Sequence, residues 1–196
     1  MKKPIVIMVI IHDDLKEHDQ DKLYADHFSW LKTELELVAQ RDILIIMCTP
    51  GEAPELSGYH YKNEDNSASL GGWKDQLKNL FSEMSRNPHF NPNLIKFILL
   101  TRDNIHEQLG GLGGQQVGLA AVKGHYAIAA ITLTQAPAHE IGHMIGATHE
   151  DSEVTYDGWW RDTIMLADGF TPLRGNAYRF SDKNRDNIRE YLSRLP

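Results

Sequence analysis

Residues 139–149 read His-Glu-Ile-Gly-His-Met-Ile-Gly-Ala-Thr-His, and the spacing of their polar positions organises the rest of the chain around them. On a helix, positions i and i+4 lie one above the other on the same face. His139 and His143 can therefore offer two imidazoles to one tetrahedral metal ion. Glu140 projects beside them, near the open coordination position but not as a ligand. A third ligand from the next turn of the same helix would crowd the first two, so the chain has to bend. Gly146 supplies that bend, since glycine enters the left-handed conformations that end helices at little cost. His149 then returns to the metal. A bare HExxH fixes only three positions and recurs by chance. Gly146 and His149 at their set offsets make the zinc reading specific, against the alternative of three histidines satisfied inside a core.

Working outward, short isoleucine-rich apolar runs at residues 5–11, 43–48 and 94–100 read as strands. Between the first two, Leu23, Phe28, Leu31, Leu35 and Val38 recur at helical spacing and predict a helix over 21–41. A second helix is expected over 73–85, with Trp73, Leu77, Leu80, Phe81 and Met84 inward and Asn87-Pro88 closing it. Residues 117–122 and 125–131 are two further strands, turned at Lys123-Gly124, with small side chains that let another backbone come close. Thr134 or Thr132 is expected to cap the metal helix, with Pro137 in its first turn. Ser181 caps a final helix over 181–195, with Ile188, Tyr191, Leu192 and Leu195 on its inner face. Tyr59–Gly72 is polar and reads as a loop in which His60 is solvated. The glycine-rich run at 110–114 lacks a dinucleotide fingerprint and reads as a flexible loop. The alternation of strands and helices argues for an α/β architecture: a mixed, mostly parallel five-stranded twisted sheet with right-handed crossovers and two or three long helices.

The chain of 196 residues has the composition of an ordinary globular protein, 41% hydrophobic and 24% charged. Its net charge of -7 argues against nucleic acid as a partner, because phosphate binding wants a basic face. Cys48 is the only cysteine, so no intrachain disulfide can form, and its apolar neighbours suggest a buried thiol at a strand end. Lys2 and Lys3 followed by residues 5–11 imitate a signal peptide. The apolar run is short, however, and ends at His12-Asp13-Asp14 without a cleavage site. The expectation is a protein made without a classical export signal, or an excised mature domain, with no membrane span. Glu150-Asp151-Ser152-Glu153 shows no spaced calcium-ligand pattern and reads as a solvated loop; structural Ca2+ is unsupported.

The zinc motif, followed by Thr163-Ile164-Met165-Leu166 as a candidate Met-turn, resembles the metzincin metallopeptidases, and the order of elements is similar over most of the chain. The resemblance implies an α+β catalytic domain over 1–196, with the zinc site between an upper subdomain (about 1–146) and a smaller lower one (about 147–196). Met165 would underlie the metal without ligating it. Gly118, Leu119, Ala120, Ala121 and Val122 would pair with an extended substrate as an added strand. Tyr126, Trp159, Trp160, Phe170 and Tyr178 are candidate pocket residues. Glu150 follows the third histidine as in the astacin group, but that group's tyrosine two residues after the Met-turn methionine is here Ala167. Neither a cysteine-bearing propeptide of the matrix-metalloprotease kind nor the extra cysteine motif of archaemetzincins is present in the sequence. The chain therefore resembles a divergent, compact metzincin.

The chemistry that this implies is a zinc endopeptidase. Zn2+ on His139, His143 and His149 lowers the pKa of a bound water to about 7, and Glu140 serves as general base. A peptide or protein is the expected substrate, and a monomer the expected state; an inhibitor or immunity partner is not identified by the sequence. Two alternatives stay open: a zinc hydrolase of a non-peptide or cell-wall amide, and a catalytically silent, zinc-stabilised binding module. Delivery as a toxin domain is a further biological setting.

Overall fold

The structure is a computed structural model that describes residues 2–106, 116–166 and 174–195. The glycine-rich run at 110–114, Ala167 and Phe170 lie outside the described residues. The chain begins with β1 (Ile5–Ile11), α1 (Gln20–His27), α2 (Ser29–Ala39) and β2 (Ile43–Cys48). It continues through α3 (Pro54–Ser57), α4 (Asn66–Gln76), α5 (Lys78–Ser85) and β3 (Ile95–Thr101). Next come β4 (Gly118–Ala120), β5 (Tyr126–Ala130), α6 (Ala136–Met144), β6 (Val154–Tyr156), β7 (Trp160–Asp162), β8 (Gly175–Asn176) and α7 (Asp182–Ser193).

The main sheet has the order β2-β1-β3-β5-β4, with β1, β2, β3 and β5 parallel and the edge strand β4 antiparallel to β5. This is the mixed, mostly parallel five-stranded sheet expected from the sequence. Every residue of β1 and β3 is buried, as strands covered on both faces must be. Successive side chains go to opposite faces. Ile5, Ile7, Val9 and Ile11 join Leu31, Leu35, Val38 and the metal helix residues Ile141 and Met144 in one core. Val6, Met8 and Ile10 pack with Trp73, Leu77, Phe97 and Leu99 in the other.

Several expectations are corrected. The helix over 21–41 is two helices that break at Phe28, whose φ of -124° leaves the helical region. Side-chain donors take up carbonyls at the break: Ser29 Oγ bonds Ala25 O at 2.8 Å and Trp30 Nε1 bonds Asp26 O at 3.2 Å. The break buries Phe28 and lets His27 Nδ1 meet Thr134 O at 3.1 Å, fastening α1 to the approach of the metal helix. The second helix also comes in two parts, and its start lies inside the stretch read as a loop. Asp65 caps it, accepting from Ser67 N and Ala68 N at 2.8 and 3.2 Å. Burial of Trp73 and Leu77 outweighs the poor helix propensity of Gly71-Gly72. His60 in that stretch is exposed, as expected. Cys48 closes β2 only half-buried, and burial raises its pKa, with Glu52 a lesser cause.

At the metal helix the expected threonine cap is absent. Gln135 holds the N-cap position with no side-chain cap bond. Thr132 Oγ1 instead donates to Asn104 Oδ1 at 2.7 Å, although Pro137 does lie in the first turn. Ser181 caps α7 as expected, accepting from Asn184 N at 3.1 Å. A second sheet, β6-β7-β8, was not anticipated, because its strands of two or three residues are too short to show alternation. No helix among the described residues is long and apolar enough to cross a membrane.

Candidate metal centre

Helix α6 carries His139 and His143 on one face, and its ending follows from the sequence. Ala147 N bonds Gly142 O at 2.9 Å and Gly146 N bonds His143 O at 3.3 Å. This pair of bonds is the Schellman arrangement, which needs a left-handed residue at the penultimate position. Gly146 supplies it with φ of +101°. The turn brings His149 back beneath the helix. The three candidate ligand atoms lie within 4.8 Å of one another, with His149 Nε2 2.8 Å from His139 Nε2 and 3.0 Å from His143 Nε2.

A neutral imidazole nitrogen carries one proton or one lone pair, so three nitrogens converging on one point cannot all be satisfied by each other. A cation among them satisfies all three. His139 Nδ1 lies 2.9 Å from Ile164 O, and a carbonyl only accepts, so the proton sits on Nδ1 and the Nε2 lone pair faces the cluster. Burial, and then the neighbouring His143, push the His139 pKa down to about 4. Burial and then His149 also lower that of His143. Neutral imidazoles are what a metal binds. Three-nitrogen sites with an open fourth position are the donor set of catalytic zinc, and these residues fit Zn2+. Among the described residues no other group of three His, Cys, Asp or Glu side chains converges in this way.

Glu140 is 7% exposed, and burial raises its pKa to about 8. It packs directly under the edge strand: a Cβ on Gly118 would stand 2.6 Å from Glu140 Cγ, so only glycine leaves the side chain its place. On the other side of α6, a Cβ on Gly142 would stand 2.6 Å from Met165 Sδ. Met165 is buried against the metal helix, and the turn it belongs to contributes the Ile164 carbonyl to His139.

A cleft of about 240 Å³ opens here, lined by Val117, Gly118, His139 and Glu140 above and by His149, Asp162, Thr163 and Ile164 below. The strand expected over 117–122, with 118–122 as its substrate-pairing residues, is shorter, β4 covering Gly118–Ala120. Ala121 N bonds Tyr126 O at 3.0 Å and Lys123 N bonds His143 O at 2.9 Å, so Ala121 and Val122 belong to the turn into β5. Since Val117 O and Ala121 N face β5, alternation points the backbone of Gly118 and Ala120 outward. The Gln116 side-chain amide already donates to Gly118 O.

Of the aromatic candidates, Tyr126 stacks against Phe97, and Tyr178 packs edge-on against Trp30, outside this cleft. Trp159 and Trp160 are 58% and 54% exposed on the β6–β7 hairpin. None of the four lines the cleft. Sequence reasoning missed the residues that hold the third histidine. Asn184 Oδ1 accepts from Thr148 N at 2.8 Å and its Nδ2 donates to Thr148 O at 3.0 Å. Asp151, expected in a solvated loop, accepts from Asn187 Nδ2 at 2.6 Å and pairs with Lys183 Nζ at 2.7 Å. Nothing in the local sequence of either residue announces these long-range partners.

A mixed sheet with an antiparallel edge strand over a helix carrying HExxH, with a methionine turn beneath, is an architecture that this chain shares with solved zinc peptidases. Known proteins agree. Metalloproteinase-II from Bacteroides fragilis superposes with a TM-score of 0.61 at 16% identity, over 96% of this chain and 53% of that one. A zinc-dependent peptidase from Methanocorpusculum labreanum gives 0.54 at 16% identity, over 93% and 99%. Archaemetzincin from Methanopyrus kandleri gives 0.50 at 11% identity, over 96% of both chains. In sequence, the snake venom metalloproteinase fibrolase of Macrovipera lebetinus is 29% identical over 122 residues, 59% of this chain and 57% of that protein. The match thus spans little more than half the length of this curated relative. No family model matches the chain.

Proposed function

We propose that this chain is a zinc-dependent endopeptidase whose general base is Glu140. The observation that carries the reading is that one cleft is lined by two of the three converging histidines, by a buried carboxylate and by the open edge of a strand. His139, His143 and His149 would hold the zinc, which when bound supplies a Lewis acid and a water of lowered pKa. Residues of about 1–146 form the upper wall and those of about 147–196 the lower, acting as one catalytic unit.

An extended peptide would add to β4 through the outward backbone groups of Gly118 and Ala120, displacing the Gln116 amide from Gly118 O. Glu140, in its water-poor position, takes the proton of the attacking water and passes it to the departing amine. The Ile164 carbonyl keeps the His139 ring in one tautomer and orientation throughout. Met165 and Gly146 act by position, the first as the floor under α6 and the second as the bend that returns His149.

The test is cleavage of a degenerate peptide library by zinc-loaded wild type and Glu140→Gln protein. Both should carry about one zinc per chain. The wild type should cleave, and the variant should lose at least about a hundredfold of the rate. Zinc in both with cleavage by neither would favour a non-peptide amide or a binding role instead.

A further inference from the structure

Gln135 stands where α6 begins, at a position that chains normally give to a capping side chain, yet it caps nothing. It is 7% exposed and lines the cleft beside His139 and Glu140. Its Nε2 is sealed from water and has no hydrogen-bond partner. A buried amide donor without an acceptor is unfavourable, and an apolar side chain in the same space would avoid the penalty. Much of the cleft around it is apolar: Leu133, Ala136, Ile164 and Leu166 line it too. The unpartnered amide thus stands among apolar side chains.

A second polar element shares the pocket. Asp162 lines it and is paired with Arg174, Nε to Oδ1, at 2.7 Å, both side chains being largely covered. That pair is neutral as a unit, so it offers hydrogen-bonding groups without itself adding a net charge to the pocket. Glu140, which hands the proton to the released amine, lines this pocket, whereas His143 does not. With Glu140 in that proposed role, the cleft beside it is assigned to the side chain of the residue whose amine is released.

We infer that Gln135 sets the specificity of this pocket and that its ligand is a side-chain carboxamide, asparagine or glutamine, on the residue following the scissile bond. The substrate C=O accepts from the Gln135 amide once its terminal group turns into the pocket, and the substrate NH2 donates toward the Asp162 carboxylate. One carboxamide complements another whichever way each is turned. An aliphatic side chain of similar size would leave the Gln135 donor buried and unpaired, and discrimination by that route is large. The inference rests on the peptidase reading above.

The experiment is the sequence profile of products released from a degenerate peptide library by zinc-loaded wild type and by Gln135→Met, with zinc content measured on both. The wild type should enrich Gln and Asn over Leu and Met by about tenfold or more at the position after the cut. Gln135→Met should invert that preference while retaining its zinc and cleaving leucine-containing peptides at least as fast. A wild-type profile that favours Leu or Met, or a profile unmoved by Gln135→Met, overturns the inference and leaves the peptidase reading standing. Absence of any cleavage by zinc-loaded wild type overturns both. A variant that unfolds is replaced by Gln135→Glu, whose acceptor oxygens beside Asp162 should turn selection toward Lys or Arg; an unchanged profile again overturns the inference.

Discussion

Above the cleft, Ile141, Met144 and Ile145 of the metal helix are sealed into the apolar core of the five-stranded sheet. Below it, the segment that carries His149 is held mainly by directional polar contacts. Asn184 grips both backbone groups of Thr148, and Ser181 Oγ donates to Asp151 O. Thr163 Oγ1 bonds Glu153 O at 2.7 Å, and Arg185 makes a two-pronged pair with Glu34 at 2.9 and 2.7 Å, tying α7 to α2. Burial of apolar surface is non-directional and sets how stable a helix is. Hydrogen bonds fix angles and so set where a ligand on a loop points. Two ligands ride on a helix and need only packing; the third sits beyond its end and needs the polar clamp.

The comparison breaks most plainly by mutating each side in turn. Leu35→Ala, in the upper core, should cost about 2–5 kcal/mol in chemical denaturation while leaving the zinc Kd within about twofold. Asn184→Ala should cost less stability, about 1–3 kcal/mol, yet weaken zinc binding by about 10- to 100-fold. If the two variants change stability and zinc affinity in the same proportion, the division of labour is wrong.

Gly118→Ala probes the upper wall from the edge strand. Its Cβ would collide with the Glu140 side chain, so peptide cleavage should drop by about a hundredfold with zinc content unchanged. Retained cleavage would mean that Glu140 has room to spare.

A separate effect concerns Lys96, fully buried on β3 with Nζ 2.6 Å from Gly124 O, where burial pushes its pKa down to about 7. The unfolded chain binds a proton there up to its ordinary value near 10.5, so stability gains a term that rises with pH from about 7 upward. Urea midpoints at pH 7 and pH 9.5 should show that rise in wild type relative to Lys96→Met, and parallel behaviour would refute it.

The same contrast explains what could be read from the sequence. The upper half announces itself through isoleucine runs, helical spacing of Leu31, Leu35 and Val38, and the fixed offsets of the histidines. All five strands of the main sheet were therefore legible, with ends displaced by a residue or two. The helix break at Phe28 was not, because it rests on side-chain donors and on the distant Thr134 carbonyl. The lower half depends on Asn184, Asp151 and Glu34 meeting partners far along the chain, and such pairings leave no periodic trace. Its strands are too short to alternate. Nothing in the local sequence marks Gln135, whose interest rests on its burial beside the cleft.

The central claim is that imidazoles from both sides of the cleft make one zinc site. Calorimetric titration of the metal-free protein with zinc tests it directly, comparing wild type with His149→Ala. One tight site per chain in wild type, with affinity largely lost in the variant, is the predicted result. Equal zinc binding by both proteins, or none by either, would contradict it.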